Sequence, residues 1–327
     1  MKLKIDSRSM PLVATGLVFI LLYLAGSIIF PGFFSLRVLF DLFNDNAFLG
    51  ISAVGMTFVI LSGGIDLSVG SMIAFSGMLT ATLVENAHFN PALTIPIVLI
   101  AGGLIGLAQG AIIQFFSAPP FIVTLGGMFF ARGMAQVISL DSIPINDEFF
   151  GSFTRIGLQL GDGLLAMTSL IFLAVVALAI FITRMTGFGR NVYAIGGSAS
   201  SAILMGLPVA RTRVSVYAIN GLLSGLAGVV YTMYTSAGYS LSGVGMEMDA
   251  ISAVVIGGTL ISGGVGFIEG TLIGVLIIGI IQTFITFQGS LSSHWTRIFI
   301  ATLVFAFIIL QRSLSKISSR LAGGSGK

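Results

Sequence analysis

Ten long apolar runs recur along this sequence, and they constrain its fold more tightly than any motif does. A helix rises about 1.5 Å per residue, so roughly 20 apolar residues cross the ~30 Å hydrocarbon core of a bilayer. Inside that core the backbone must satisfy its own hydrogen bonds, which leaves helices and closed barrels. A barrel needs shorter segments of alternating polarity, and the sequence has none. The prediction is an all-α polytopic membrane protein with about ten transmembrane helices, at about 11–31, 39–61, 67–85, 92–116, 119–139, 164–184, 213–236, 247–265, 267–288 and 295–312. Composition agrees: 56% of residues are hydrophobic and only 8% charged, against roughly 25% charged in soluble domains. The run from Pro11 to Phe30 is too long for a signal-peptide core and reads as a retained first helix.

An even number of spans places both termini on one side. With the termini inside, the inner segments hold Lys2, Lys4, Arg8, Arg184, Arg190, Arg211, Arg213, Arg312, Lys316, Arg320 and Lys327, and the outer side only Arg37, Arg132, Arg155 and Arg297. Basic residues concentrate on the cytoplasmic side, so the N- and C-termini and the Arg184–Arg213 segment are expected there. Residues 1–312 read as a single transmembrane domain, and 313–327, basic and then Gly/Ser-rich, as a flexible cytoplasmic tail. The longest outer connection, about 140–163, carries Asp141, Asp147, Glu148, Asp162 and Pro144 and reads as turns rather than another helix. It is either a solvated loop or part of a surface for an extracytoplasmic partner.

Most enzymatic and metal chemistries are excluded. There is no cysteine, and His88 and His294 both fall near segment ends, so no metal or disulfide site is expected. No G-x-x-x-x-G-K-[ST] occurs, the only Gly-Lys being the final dipeptide, so the chain is not expected to bind ATP. There is no H-E-x-x-H, and no pair of aspartates faces each other at mid-membrane. Catalytic and cofactor-binding residues are therefore expected to be absent.

Two stretches organise the rest. The first, RMTGFGRNVYAIGGSASSAILMGLPVARTR (184–213), is basic and without an acidic residue. Within it Ser198 reads as the N-cap of a short helix, Gly206 as its stop and Pro208 as a barrier to continuation. It is either a docking surface or an ordinary positive-inside loop. The second is an internal echo: residues 51–74 align without gaps to 251–274, with nine of 24 positions identical, including Ser62-Gly63-Gly64 and Ser262-Gly263-Gly264. Glycines there permit a sharp reversal or a broken helix. Matched interruptions in two halves of a membrane protein point to a transport path; chance similarity between apolar sequences is the plain alternative.

Ionisable and amide side chains inside apolar runs need a reason. Asp66, after the first Ser-Gly-Gly, is placed to cap the half-helix that follows, a structural role favoured over proton relay. Glu269 in the second copy reads as a helix start. Asp41, Asn44, Asp45 and Asn46 form a polar stripe suited equally to sugar hydroxyls and to interfacial caps. Gln109, Gln114, Asn220 and Gln282 either line a hydrophilic path or join helices by hydrogen bonds.

The combination of AVGMTFVILSGGIDLSVGS (53–71), PPFIVTLGGMFFARG (119–133), GRNVYAIGGS (189–198) and VVIGGTLISGGVG (254–266) resembles the ribose/simple-sugar permeases of ABC importers, nearly end to end. The stretches DNAFLGI (45–51), SIPIN (142–146) and SSHWT (292–296) are most similar to galactofuranose permease subunits. The resemblance implies a coupling segment, about 185–212, in which Gly189, Arg190, Tyr193, Gly196, Gly197, Ser198 and Gly206 dock on a separate ATPase. Many relatives carry Asn where Ser198 stands; either residue can cap. It places Asn44, Asn46, Ser62, Gly63, Gly64, Asp66, Asn220, Ser262, Gly263 and Gly264 at a translocation path or at the helix breaks supporting it. ATP and Mg would sit on the partner ATPase. The other implied partners are a second, related permease subunit, a periplasmic sugar-binding protein and membrane lipid, in the bacterial inner membrane. The rival reading is a secondary transporter or facilitator that works without ATP; a scaffold subunit with no path of its own is a third.

Overall fold

The computed structural model describes residues 10–290, 292 and 294–323. Lys2, Lys4, Arg8 and Lys327 of the charge count lie outside the described residues, as do Ser293 of the SSHWT stretch and the side chains of Arg312, Lys316 and Arg320. The chain forms α1 (Met10–Ile29), α2 (Leu36–Asn44), α3 (Ala47–Leu61), α4 (Val69–Ala81) with a π turn at Thr82–Asn86, α5 (Pro91–Phe115) and α6 (Pro120–Ile138). A short strand β1 (Ile143–Pro144), α7 (Glu148–Arg155) and the strands β2 (Gly157–Leu160) and β3 (Gly163–Ala166) come next. Then follow α8 (Met167–Met185), α9 (Gly187–Gly197), α10 (Ala199–Leu204), α11 (Val209–Thr235), β4 (Ala237–Gly238), α12 (Met246–Ile256), α13 (Ile268–Gln288) and α14 (His294–Gly323).

Every predicted run contains helix, and the expectation of about ten spans holds in part. Among the described residues six helices, α1, α5, α6, α8, α11 and α13, are long and apolar enough to cross a bilayer. They become seven if α2 and α3, joined at a 55° bend, count as one. The run at 67–85 yields only the 13 residues of α4 plus its π turn, and 247–265 only the 11 residues of α12 followed by a loop. Backbone chemistry sets where α3 and α12 stop: Gly63, Gly258, Gly263 and Gly264 all adopt positive φ, between 75° and 92°, which ends a right-handed helix.

The short helices are the inner ones. Nearly all of α3 and α4 is buried, whereas α1, α5, α6 and α8 turn large apolar residues such as Leu17, Leu93, Phe129 and Leu178 outward. A helix wrapped in protein need not match the bilayer thickness, and irregular backbone at membrane depth is admitted only there or beside water. The tightest pair is α5 with α11. Gly102, Gly106 and Gly110 on α5 meet the backbone of Val214, Tyr217 and Gly221 on α11, so close that a Cβ on Gly106 would strike the Tyr217 carbonyl. Small residues four apart are the means by which membrane helices approach closely.

The expectation for the 140–163 connection is corrected: it contains a helix and a hairpin, not turns alone. Asp147 caps α7 by accepting a hydrogen bond from the Phe149 amide at 2.9 Å, and Phe149 packs on Phe150 and Phe153. The hairpin β2–β3 pairs antiparallel around Gly161, whose φ is +60°. Strand β1 pairs with β4, and the Glu85 carboxylate holds the Asn146 amide at 2.5 Å, tying this connection to the π turn.

Candidate functional site: a glycine junction beneath two short helices

Thr186 starts α9 by accepting a hydrogen bond from the Gly189 amide at 3.1 Å. The helix ends at Gly197, and Ser198 restarts the chain as the N-cap of α10, its hydroxyl accepting from the Ser201 amide at 3.2 Å. Gly206, with φ +75°, closes α10, and the Leu207 amide reaches back to the Ala202 carbonyl at 3.0 Å. This is the Schellman pattern. The helix expected over 198–206 is thus present with its expected caps, while the helical nature of 187–197 carried no such punctuation in the sequence. Ile195, Ala202 and Val209 form a small core under the pair. Ile203, Leu204 and Met205 stand 61%, 89% and 66% exposed at its tip, and Arg190 on α9 is exposed too.

The two Ser-Gly-Gly turns meet beneath α9. The Gly264 amide donates to the Leu61 carbonyl at 3.0 Å, and Gly263 lies against Gly63. Gly196 fits onto this seam: a Cβ there would strike both the Leu61 carbonyl oxygen and the Gly264 nitrogen. Gly197 touches the other face of Gly264. The Tyr193 hydroxyl donates to the Gly266 carbonyl at 2.8 Å, and Arg184 pairs with Glu269 at 2.5 Å. Gly189 packs on the last turn of α8. Two groups of residues that the sequence reading treated separately, the coupling segment and the Ser-Gly-Gly turns, therefore form one junction.

The other path residues lie elsewhere. Asp66 accepts from the Ser68 amide at 2.8 Å and hydroxyl at 2.6 Å, and from the Asn220 carboxamide at 2.7 Å. It orders the start of α4 at Val69, and no Lys or Arg pairs with it among the described residues. Beside it the Gln109 Nε2 and Asn220 Oδ1 atoms are buried without a partner. Asn44 bridges to β3 and α8 through Leu164, Ala166 and Ser169, and Asn46 donates to Leu42. These amides act as joints. Gln114 accepts from Arg213 at 3.0 Å.

Several residues escaped the sequence reading. Arg132, on α6, donates to the Ser240 and Ser242 carbonyls, both at 2.6 Å, and so holds the irregular loop before α12. Asp249 and Arg297 border an open cavity of about 570 Å³, and Tyr234 borders another. Ionisable residues within apolar runs were the available signal. No group of three or more His, Cys, Asp or Glu suited to a metal ion occurs among the described residues.

Residues 38–308 match the family described as branched-chain amino acid transport system / permease component. The inner membrane ABC transporter permease protein YjfF of Escherichia coli is 51% identical over 94% of this chain and 93% of its own length. The fructose import permease protein FruG of Bifidobacterium longum is 38% identical over 96% of this chain and 94% of its own. The ribose import permease protein RbsC of Haemophilus influenzae is 37% identical over 88% and 89%. No solved structure matches the chain. With a family match over most of its length and near full-length permease relatives, the chain belongs to this family of transport permease components as a multi-pass protein of the inner membrane.

Proposed function

We propose that the chain is a permease subunit of a binding-protein-dependent ABC importer and moves a monosaccharide across the inner membrane with energy from a separate ATPase. The observation that carries this reading is the α9–α10 pair. Three consecutive exposed apolar side chains tip a short capped helix on a segment rich in arginine, and α9 beside it is seated on the junction of both internal copies. A patch of this kind suits docking into a cleft of a partner. The excess of arginine and lysine supports a cytoplasmic position for this segment and both termini. Galactofuranose is the sugar to which the 45–51, 142–146 and 292–296 stretches point. The ATPase, a receptor in the periplasm and a second, related permease complete the importer.

The test is reconstitution in proteoliposomes with the cognate ATPase and binding protein, following labelled galactofuranose, ribose, fructose and arabinose. ATP-dependent uptake that disappears in an Arg190→Glu, Leu204→Asp variant, with membrane insertion intact, is the expected result. Uptake by this chain alone under an ion gradient would instead establish the secondary-transporter reading.

A further inference from the structure

At the end of α13 remote from α9, two open cavities of about 570 and 390 Å³ adjoin each other. Gln282 and Thr286, one helical turn apart, border both. The larger adds Asp249 and Arg297, from α12 and α14. The smaller adds Asp41, Asp45 and Tyr234, whose hydroxyl donates to Asp45. The Gln282 carboxamide makes no hydrogen bond among the described residues, so a donor and an acceptor on the shared wall are both unused.

These groups select a ligand class. Carboxylates only accept hydrogen bonds, the guanidinium only donates, and a carboxamide does both. Each hydroxyl of a polyol can donate and accept, so a ring bearing several satisfies such a mixed set. A metal ion fits poorly, because the carboxylates are divided between two cavities and one faces Arg297. An apolar guest fits poorly too. The nearby cavity of about 580 Å³ lined by Phe30, Ile281, Phe284 and Leu303 offers that environment and has almost no polar wall. The aromatic residues Phe48, Tyr234 and Phe287 supply ring surface for the C–H side of a sugar. Both volumes fall in the range of roughly 300–1,000 Å³ usual for small-molecule sites.

We propose that the two cavities form one polyol subsite centred on Gln282, which holds the monosaccharide between α13 and the helices around it during passage. The subsite rests on the import reading above. Sugar is recognised by Asp45, Asp249, Gln282 and Arg297, and the Ser-Gly-Gly turns serve the junction instead of the sugar.

Trp295, the chain's sole tryptophan, immediately precedes Thr296 and Arg297, which line the larger cavity, and its fluorescence serves as the probe. The purified full chain in nanodiscs is titrated with D-galactose and D-ribose while Trp295 fluorescence is recorded, with betaine at matched osmolality as the control. A saturable change with a midpoint on the order of millimolar is expected for the sugars alone. Gln282→Leu and Asp249→Asn should each raise that midpoint at least tenfold, and Gln282→Asn less. In the reconstituted importer the same variants should raise the uptake KM. Should Gln282→Leu fail to insert, Asp45→Asn, at an exposed position, carries the same expectation. A response equal to that of betaine, or an unchanged KM in inserted variants, overturns the subsite. Absence of ATP-dependent uptake by the wild-type complex overturns the import reading, while the fluorescence titration still decides the subsite.

Discussion

Adjacent glycines at the end of α9 offer a direct measure of how firmly that helix is held. A Cβ at Gly196 would strike the Leu61 carbonyl and the Gly264 amide, both backbone groups that cannot swing aside as a side chain can. At Gly197 the same addition meets nothing within 4 Å. Gly196→Ala must therefore lift α9 or part the 3.0 Å hydrogen bond between Gly264 and Leu61. Overpacking typically costs 1–3 kcal/mol, and a buried backbone pair left open costs about the same again. Taking ~2 kcal/mol as the part felt locally, the population with α9 undocked rises about thirtyfold. Hydrogen–deuterium exchange of peptides covering 187–206, in detergent or nanodiscs, reads this directly where exchange follows the opening equilibrium. Gly196→Ala should speed exchange there by about that factor, while Gly197→Ala leaves it within about twofold. Equal behaviour of the two variants would refute the reasoning, because they differ only in what the added methyl group meets.

Three further outcomes follow from the same geometry. Gly106→Leu should destabilise the α5–α11 contact by about 3 kcal/mol or more and deplete folded protein from detergent extracts; Gly103→Ala, whose nearest neighbour is the Leu222 Cβ at 3.7 Å, should extract normally. Asn220→Leu removes the donor to Asp66 and should cost about 1–3 kcal/mol, visible as a Tm several degrees lower; an unchanged Tm would mean that Asp66 is satisfied otherwise. The Arg184–Glu269 pair is half exposed on the arginine side, with side-chain exposures of 56% and 27%. A double-mutant cycle with Arg184→Gln and Glu269→Gln should therefore return a coupling of at most ~1 kcal/mol, smaller in high salt.

What the sequence made legible were features written in local backbone chemistry. Ser198 and Gly206 bound a helix because one can cap and the other can take positive φ, and both facts are local. The Ser-Gly-Gly pair was visible as a break for the same reason, and Asp66 as a cap on the half-helix after it. Hydropathy, by contrast, reads the same whether an apolar run faces lipid or protein, so it does not tell the short buried helices α4 and α12 from those that face outward. The helix α7 was missed because its eight residues are polar overall and gain their apolar contacts from Phe149, Phe150 and Phe153 only once folded. The cavity pair was out of reach for a different reason. Its wall draws on Asp41 and Asp45, Tyr234, Asp249, Gln282 and Arg297, from five separate helices, and no spacing in one dimension brings these together.

The junction also has a mechanical asymmetry. Toward the second copy α9 is fastened three times, by the Tyr193 hydroxyl to Gly266, by the Gly197–Gly264 contact and, through the end of α8, by Arg184 to Glu269. Toward the first copy it meets the Leu61 carbonyl through Gly196 and the Phe58 ring through Phe188, with centroids 6.3 Å apart, and no side-chain hydrogen bond fastens it there among the described residues. Side chains cushion most helix contacts, but here backbone lies against backbone, and close-packed groups transmit displacement instead of absorbing it. A pull on the exposed tip of α10 would thus carry the 262–266 turn and the start of α13 along with α9. The two internal copies touch there through the hydrogen bond between Gly264 and Leu61, and deeper through the Thr57 and Thr271 hydroxyls at 2.7 Å. Opening there would load the start of α13, the helix that carries Gln282 near its far end. That is the geometry by which movement at one end of the molecule can alter a cavity at the other. The same seam is the one that a methyl group at Gly196 pries apart without any partner present, so the exchange experiment measures its strength in the free subunit.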